Sequence, residues 1–138
     1  MTPFADIENG IDALEQASDA PAAAARLLAF GEAVLENWIE AKDQAPTGEK
    51  VESFRLLALH RQGAKGDPSF NACRETCREL VYHYNLILTH PKQPGTPQHL
   101  RLMAAVARHL LLFVSGKMEN AKVGEFCCSA RPLRAESA

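Results

Sequence analysis

The amino-acid sequence predicts an all-α fold, a single-domain up-and-down bundle of four to five helices. Alanine, leucine, glutamate and arginine are frequent, and all four favour helices. Apolar residues recur every three or four positions, and no segment shows the alternation typical of a strand. Several prolines follow an oxygen-bearing side chain, a common pattern at helix starts. The chain of 138 residues fits one domain. We assign the bundle to residues 1–121 and predict an irregular tail over residues 122–138, with its last residues disordered.

The first two helices are predicted from their caps and their apolar spacing. Thr2 before Pro3 and Asp19 before Pro21 mark the two starts. The side-chain oxygen accepts a free backbone N–H, and a proline in the first turn has none to lose. The apolar positions of the first helix are Phe4, Ile7, Ile11 and Leu14. Those of the second are Ala24, Leu27, Gly31, Val34, Trp38 and Ala41. We interpret the opposite side of the second helix as a solvated face carrying Glu32, Glu36 and Glu40.

Proline and glycine breaks separate the remaining three helices. The break APTG at 45–48 predicts a third helix over 49–62, and Asp67-Pro68 starts the fourth. The segment PKQPGT at 91–96 precedes the fifth, and Thr96 before Pro97 marks its start. One side of the fifth helix carries Leu100, Met103, Ala104, Ala107, Leu110, Leu111 and Val114. Leu102, Val106 and Phe113 widen that side, which predicts a helix that is either central in the bundle or buried against a partner.

The two halves of the chain carry opposite net charge. Residues 1–70 contain 6 Lys/Arg and 12 Asp/Glu, and residues 71–138 contain 9 and 5, so the halves carry −6 and +4. We interpret this as an acidic face of one half packed beside a basic face of the other. The alternative is an acidic or nucleic-acid partner for the second half, although a surplus of positive charge spread so thinly does not favour nucleic acid.

The longest apolar run, 110–114, is too short for a bilayer, which needs ~20 residues. The first ten residues lack the pattern of a signal peptide. We therefore expect a cytoplasmic protein with reduced cysteines and no membrane segment.

The segment FNACRETCRELVYHYNLILTH, residues 70–90, carries the residues best suited to chemistry. Cys73 and Cys77 lie four positions apart, about 40° around a helix. They share an apolar seam with Phe70, Leu80, Tyr84 and Leu88. Core packing without a cofactor is the first interpretation, because free cysteine packs as a small hydrophobe. In the alternative, the tail turns back at Gly124. Cys127 or Cys128 then joins the pair to bind zinc or an iron–sulfur cluster, or the two adjacent cysteines have a redox role.

Histidines in the middle of the chain suggest a second kind of site. His83 follows Glu79 by one turn, and we interpret the two as a surface pair, not as part of a di-metal site. Arg78 and His83, in RELVYH, match the Arg-x4–6-His pattern of the HEPN ribonucleases, and RLLALH at 55–60 matches it too. The chain resembles that family, whose members are also small helical bundles, in these residues alone. The resemblance implies an arginine that holds phosphate and a histidine that acts as acid or base at a ribose hydroxyl.

Three functional hypotheses follow from the sequence. The first is a non-catalytic interaction or assembly module that binds a protein partner or forms a homodimer, since the fifth helix offers more apolar surface than the chain can cover. The second is a thiol or metal-binding bundle that uses Cys73, Cys77 and Cys127 or Cys128. The third is a nuclease-like enzyme that uses Arg78 and His83.

Overall fold

Residues 2–121 form an all-α bundle in the computed structural model, which describes this part of the chain. Its helices are α1 (Phe4–Leu14), α2 (Ala20–Ala41), α3 (Arg55–Ala64), α4 (Arg74–Thr89) and α5 (Thr96–Ala121). A 3-10 turn, Pro68–Cys73, leads into α4. The described residues contain no β-strand beyond one isolated bridge between Val51 and Phe54. The prediction of an all-α bundle is confirmed, whereas the predicted tail at 122–138 lies outside the described residues.

Helix α5 lies at the centre of the bundle and packs against α1, α2 and α4. All seven apolar positions predicted for its inner side are buried. Val106 and Phe113 are partly buried, whereas Leu102 and Leu112 are 43% and 58% exposed. The inner side of α5 is therefore central in the bundle, as one of the two predicted environments has it. No helix in the described part is long and apolar enough to cross a membrane.

One of the predicted caps is confirmed, and the others have different partners. Asp19 accepts a hydrogen bond from the backbone N–H of Ala22 at 3.1 Å, as a cap should. No side chain caps α1. The carboxylate of Asp67 instead pairs with Lys117 of α5 at 3.0 Å, and the hydroxyl of Thr96 donates to a backbone carbonyl of the preceding turn. The Asp67 carboxylate thus contacts a distant helix, whereas the Thr96 hydroxyl closes the connection between α4 and α5.

The third helix starts later than predicted. It begins at Arg55, and residues 44–50 are irregular. The turn at 51–54 is closed by two hydrogen bonds between the backbones of Val51 and Phe54, of 3.0 and 2.9 Å. The irregular segment is held by α3 itself, since Arg55 Nε donates to the carbonyl of Thr47 at 2.8 Å and Gln62 Oε1 accepts from the N–H of Thr47 at 2.8 Å. Long-range side-chain bonds thus replace the predicted first turn.

The buried side of α4 rotates along its length. Phe70, Cys73, Cys77 and Leu80 are buried as predicted. Further on, His83 and Ile87 are buried, and Leu88 is 43% exposed. Tyr84 is partly buried against the core, so the predicted seam is wrong at Leu88, where the buried side of α4 has turned to His83 and Ile87.

Ion pairs join the acidic and basic halves of the chain. Arg108 of α5 contacts Asp12 and Glu15 at 2.6 and 3.3 Å, and further pairs join Lys117 to Asp67 and Arg78 to Glu52. These contacts agree with our interpretation of the charge asymmetry. The predicted solvated face of α2 is corrected at two positions, because Glu32 and Glu36 are partly buried against Arg55 of α3, at 3.3 and 2.7 Å.

Candidate anion-binding pocket beside a buried thiol pair

A pocket of about 440 Å³ opens between α3 and the start of α4. From the α3 side it is lined by residues spaced three or four apart, which share one face of a helix. The α4 side and its 3-10 turn contribute residues with the same spacing. The polar lining consists of His60, Arg61, Lys65, Asn71, Arg74 and Arg78. The apolar lining consists of Val51, Leu57 and Ala64. The pocket therefore lies between one face of α3 and one face of α4. Its apolar lining comes from α3 and from the segment just before that helix.

The charge of the lining is entirely positive. Four of its side chains are permanent cations, and no carboxylate lines it. Arg78 has one partner, the exposed Glu52, at 3.0 Å. Arg61, Lys65 and Arg74 form no ion pair with any residue of the described range 2–121. Unpaired cations around a concave space attract anions, and a guanidinium offers a planar fork that matches phosphate and carboxylate oxygens. The pocket is thus suited to an anionic group.

A pair of buried thiols lies behind this pocket. Cys73 and Cys77 are both free, and their exposures are 1% and 0%. The Sγ of Cys73 donates to the carbonyl of Phe70 at 3.1 Å, and Nε2 of His60 lies 3.0 Å from the same oxygen. Because a carbonyl only accepts, Nε2 of His60 carries a proton. His60 is therefore the side chain that lines the pocket and also shares a hydrogen-bond acceptor with Cys73.

The two thiols differ in acidity. A hydrogen bond from Cys77 lowers the pKa of Cys73 below the ordinary thiol value, and the nearby His60 acts in the same direction. The same hydrogen bond, together with burial, raises the pKa of Cys77. Burial alone lowers the pKa of His60, but its bonds to Cys73 and to the Phe70 carbonyl outweigh this effect and the net shift is upward. Cys73 is thus the more acidic thiol of the pair, with an imidazole beside it.

The four predicted metal ligands are only partly described by the structure. Cys73 and Cys77 lie on one face, as the spacing predicts, whereas Cys127 and Cys128 lie outside the described residues. Within residues 2–121, no group of three or more His, Cys, Asp or Glu side chains is arranged to hold a metal. The metal hypothesis stays a prediction that depends on the tail. A native mass spectrum of untagged protein, with and without substitution of Cys73 and Cys77, tests it.

The histidines and arginines of the HEPN pattern lie in separate environments. Arg78 lines the pocket, whereas His83 does not. The prediction that His83 forms a surface pair with Glu79 is wrong, because His83 is only 8% exposed and its Nδ1 lies 3.4 Å from Nδ1 of His99 in α5. Burial, and then His99, lowers the pKa of His83. The third hypothesis therefore has its arginine and its histidine on different sides of α4.

The second match to the pattern is separated in a similar way. Arg55 contacts Glu32 and Glu36 of α2, and His60 lines the pocket. The pocket instead combines His60 with Arg78, one residue from each match. Sequence reasoning missed this combination, although the spacing of the cations in α3 and α4 places them on one face of each helix.

The chain matches no known protein family, and neither a curated protein nor a solved structure is significantly similar to it. The functional argument therefore rests on the residues of this chain.

Proposed function

We propose that the protein is a non-catalytic binding module whose pocket between α3 and α4 holds the phosphate or carboxylate group of a small molecule. The observation that carries this proposal is a set of three cations around one cavity, Arg61, Lys65 and Arg74, which have no ion pair within residues 2–121. Its volume, about 440 Å³, lies within the range of small-molecule sites. Like charges held together repel one another, and a bound anion relieves this repulsion.

The lining supports binding more than bond-breaking chemistry. Cys73, the more acidic thiol, is 1% exposed and does not line the pocket. Within the lining, His60 is the one side chain that titrates near neutral pH, and its Nε2 is already engaged by the Phe70 carbonyl. Arginine and lysine hold anions without exchanging protons at this pH. The role of the pocket is thus to bind a charged group, with Val51, Leu57 and Ala64 contacting the less polar part of the ligand.

Titration calorimetry with inorganic phosphate and pyrophosphate at low ionic strength tests this function. We expect saturable binding of one anion per chain, and an affinity at least about tenfold lower in Arg61→Gln/Arg74→Gln. The matched control is Arg26→Gln/Arg101→Gln, which removes the same charge from exposed positions of α2 and α5. Equal losses in the two double variants contradict a pocket site, because they indicate attraction to net charge alone. Wild-type protein that binds neither anion contradicts the proposal outright.

A second proposal concerns self-association through the outer side of α5. Leu102 and Leu112 are exposed, and Ala105, which is exposed as well, lies between them on the same side of the helix. These three exposed apolar residues form a stripe that an isologous dimer buries against its own copy. Light scattering at high micromolar concentration is expected to give a dimer mass. A monomer mass, or a dimer that persists in Leu102→Gln/Leu112→Gln, contradicts this interface.

A further inference from the structure

Two imidazoles meet between α4 and α5, apart from the pocket. His83 belongs to α4 and His99 to the first turns of α5. Their Nδ1 atoms are 3.4 Å apart, with ring centroids at 5.5 Å and ring planes inclined by 44°. His83 is buried and His99 is partly exposed, so one edge of the pair faces solvent. The pair therefore places two nitrogen atoms side by side at a partly buried position.

The separation suits a shared metal ion better than a direct hydrogen bond. Nitrogen donors and acceptors in proteins are usually about 2.9–3.0 Å apart, and 3.4 Å is long for such a bond. Zinc binds imidazole nitrogen at about 2.0–2.1 Å in tetrahedral geometry, which places two nitrogen ligands about 3.3–3.4 Å apart. The two Nδ1 atoms thus have the separation that one tetrahedral ion requires.

The surroundings position the ring of His83 and the backbone that carries His99. The ring of Tyr82 packs edge-on against His83, with centroids 5.3 Å apart. In the connection between the helices, the Thr96 hydroxyl donates to the carbonyl of His90 at 2.6 Å, and the N–H of His99 donates to the carbonyl of Gly95 at 3.1 Å. The first of these bonds joins the start of α5 to the end of α4, and the second closes the first turn of α5. Such prior positioning favours metal binding, because little freedom is lost when the ion arrives.

We propose that Nδ1 of His83 and Nδ1 of His99 bind one divalent transition-metal ion of the zinc class, with water in the remaining positions. Imidazole is a preferred ligand of zinc, copper and nickel, and its neutral form is the one that coordinates. Glu79, one turn before His83, is exposed and close enough for its carboxylate to act on the pKa of His83. This negative charge favours a cation at the pair. Water completes the shell because the described residues assemble no third ligating side chain at this position.

Zinc titration of the untagged full chain, followed by NMR of the histidine ring protons, tests the site. We expect the ring signals of His83 and His99 to shift together and saturate at one zinc ion. In His99→Gln we expect the affinity at this site to fall at least about tenfold, since loss of a direct ligand costs at least as much as loss of an outer-shell partner. The matched control is His109→Gln, at an exposed position further along α5. It should bind zinc as the wild type does.

Two outcomes overturn the inference. One is that zinc leaves the signals of His83 and His99 unchanged, whether or not it binds elsewhere. The other is that His99→Gln retains the wild-type affinity at the shifted signals. A parallel titration of Cys73→Ala/Cys77→Ala distinguishes the two possible sites. Zinc bound by the cysteines is lost in that variant, whereas zinc bound by the two histidines remains. The titrations contain no phosphate, so their result is independent of the pocket.

Discussion

Two arginines join helices, one between α3 and α2 and one between α5 and α1, and each contacts two carboxylates. In the same described part of the chain, no arginine around the pocket contacts more than one. Arg55 is held by Glu32 and Glu36, and Arg108 spans to α1. Arg61 and Arg74 have no carboxylate partner within the described residues. The same side chain therefore has two uses in one small bundle. Between two helices, the charge of the arginine is neutralised by carboxylates of the protein. Around the pocket, that charge is available to an anionic ligand.

This difference separates stability from binding in a testable way. A paired, partly buried arginine contributes to the folded state because its removal leaves carboxylates without a partner. An unpaired arginine at the pocket contributes repulsion to the folded state and attraction to an anion. Substitutions in the two regions should thus have opposite consequences for the free energy of unfolding and for anion affinity.

The largest loss of stability is expected for Arg55→Gln. It removes the partner of Glu32 and Glu36 and the bond from Nε to Thr47. We expect the free energy of unfolding at neutral pH to fall by about 2 kcal/mol, less than for a fully buried pair because these side chains are roughly a quarter exposed. Urea denaturation measures it. The control Arg101→Gln should change stability by less than about 0.5 kcal/mol.

The cost of Arg55→Gln should depend on pH. Burial, opposed by Arg55, raises the pKa of Glu32 in the folded protein, so the folded state binds a proton more readily than the unfolded state. Such a group stabilises the fold below its unfolded pKa and loses that effect as the pH rises through its folded pKa. Without Arg55 the pKa of Glu32 rises further. The difference between wild type and variant should thus shrink as the pH falls through the raised folded pKa of Glu32, above the ordinary glutamate range, and a difference independent of pH contradicts this account.

A smaller effect is expected for Cys73→Ala/Cys77→Ala. Both thiols are buried and fill space beside Phe70, so the double truncation should cost about 1–2 kcal/mol of unfolding free energy through lost packing. Helix content, from circular dichroism, should stay the same. Phosphate affinity should also stay the same, because neither thiol lines the pocket. Unfolding of the variant, with loss of a bound metal, would instead favour the thiol–metal hypothesis.

The smallest stability change is expected at the pocket itself. Arg61→Gln/Arg74→Gln should leave the free energy of unfolding within about 0.5 kcal/mol of wild type, with a slight gain at low salt as repulsion is relieved. The same variant should lose anion affinity, which Arg55→Gln should keep. Chemical denaturation at two salt concentrations measures the first effect. A stability loss as large as that of Arg55→Gln would mean that the pocket cations are structural.

Much of the fold follows from local sequence patterns. The inner side of α5 follows from spacing alone, because a period near 3.6 places its seven apolar residues on one face of the helix. Asp19 caps α2 as predicted because the bond to Ala22 is local. The late start of α3 did not follow, since the segment before it is held by Arg55 and Gln62 from within the helix. Bonds between distant residues leave no signal in a local pattern.

The candidate sites were harder to predict than the fold. Spacing places Cys73 and Cys77 on one face, but it does not show that His60 of α3 meets them through the Phe70 carbonyl. The interpretation of His83 as a surface residue is wrong because the buried side of α4 rotates towards α5 after Leu80. The packing partner of each helix face decides these questions, and a single sequence does not specify it.

NMR of ¹⁵N-labelled full chain during titration with inorganic phosphate tests the central claim most directly. A pocket site predicts saturable shifts concentrated in the backbone amides of residues 57–65 and 71–78, which weaken in Arg61→Gln/Arg74→Gln and persist in Arg26→Gln/Arg101→Gln. Shifts spread over exposed lysines and arginines of all helices, or an unchanged spectrum, contradict an anion-binding pocket between α3 and α4.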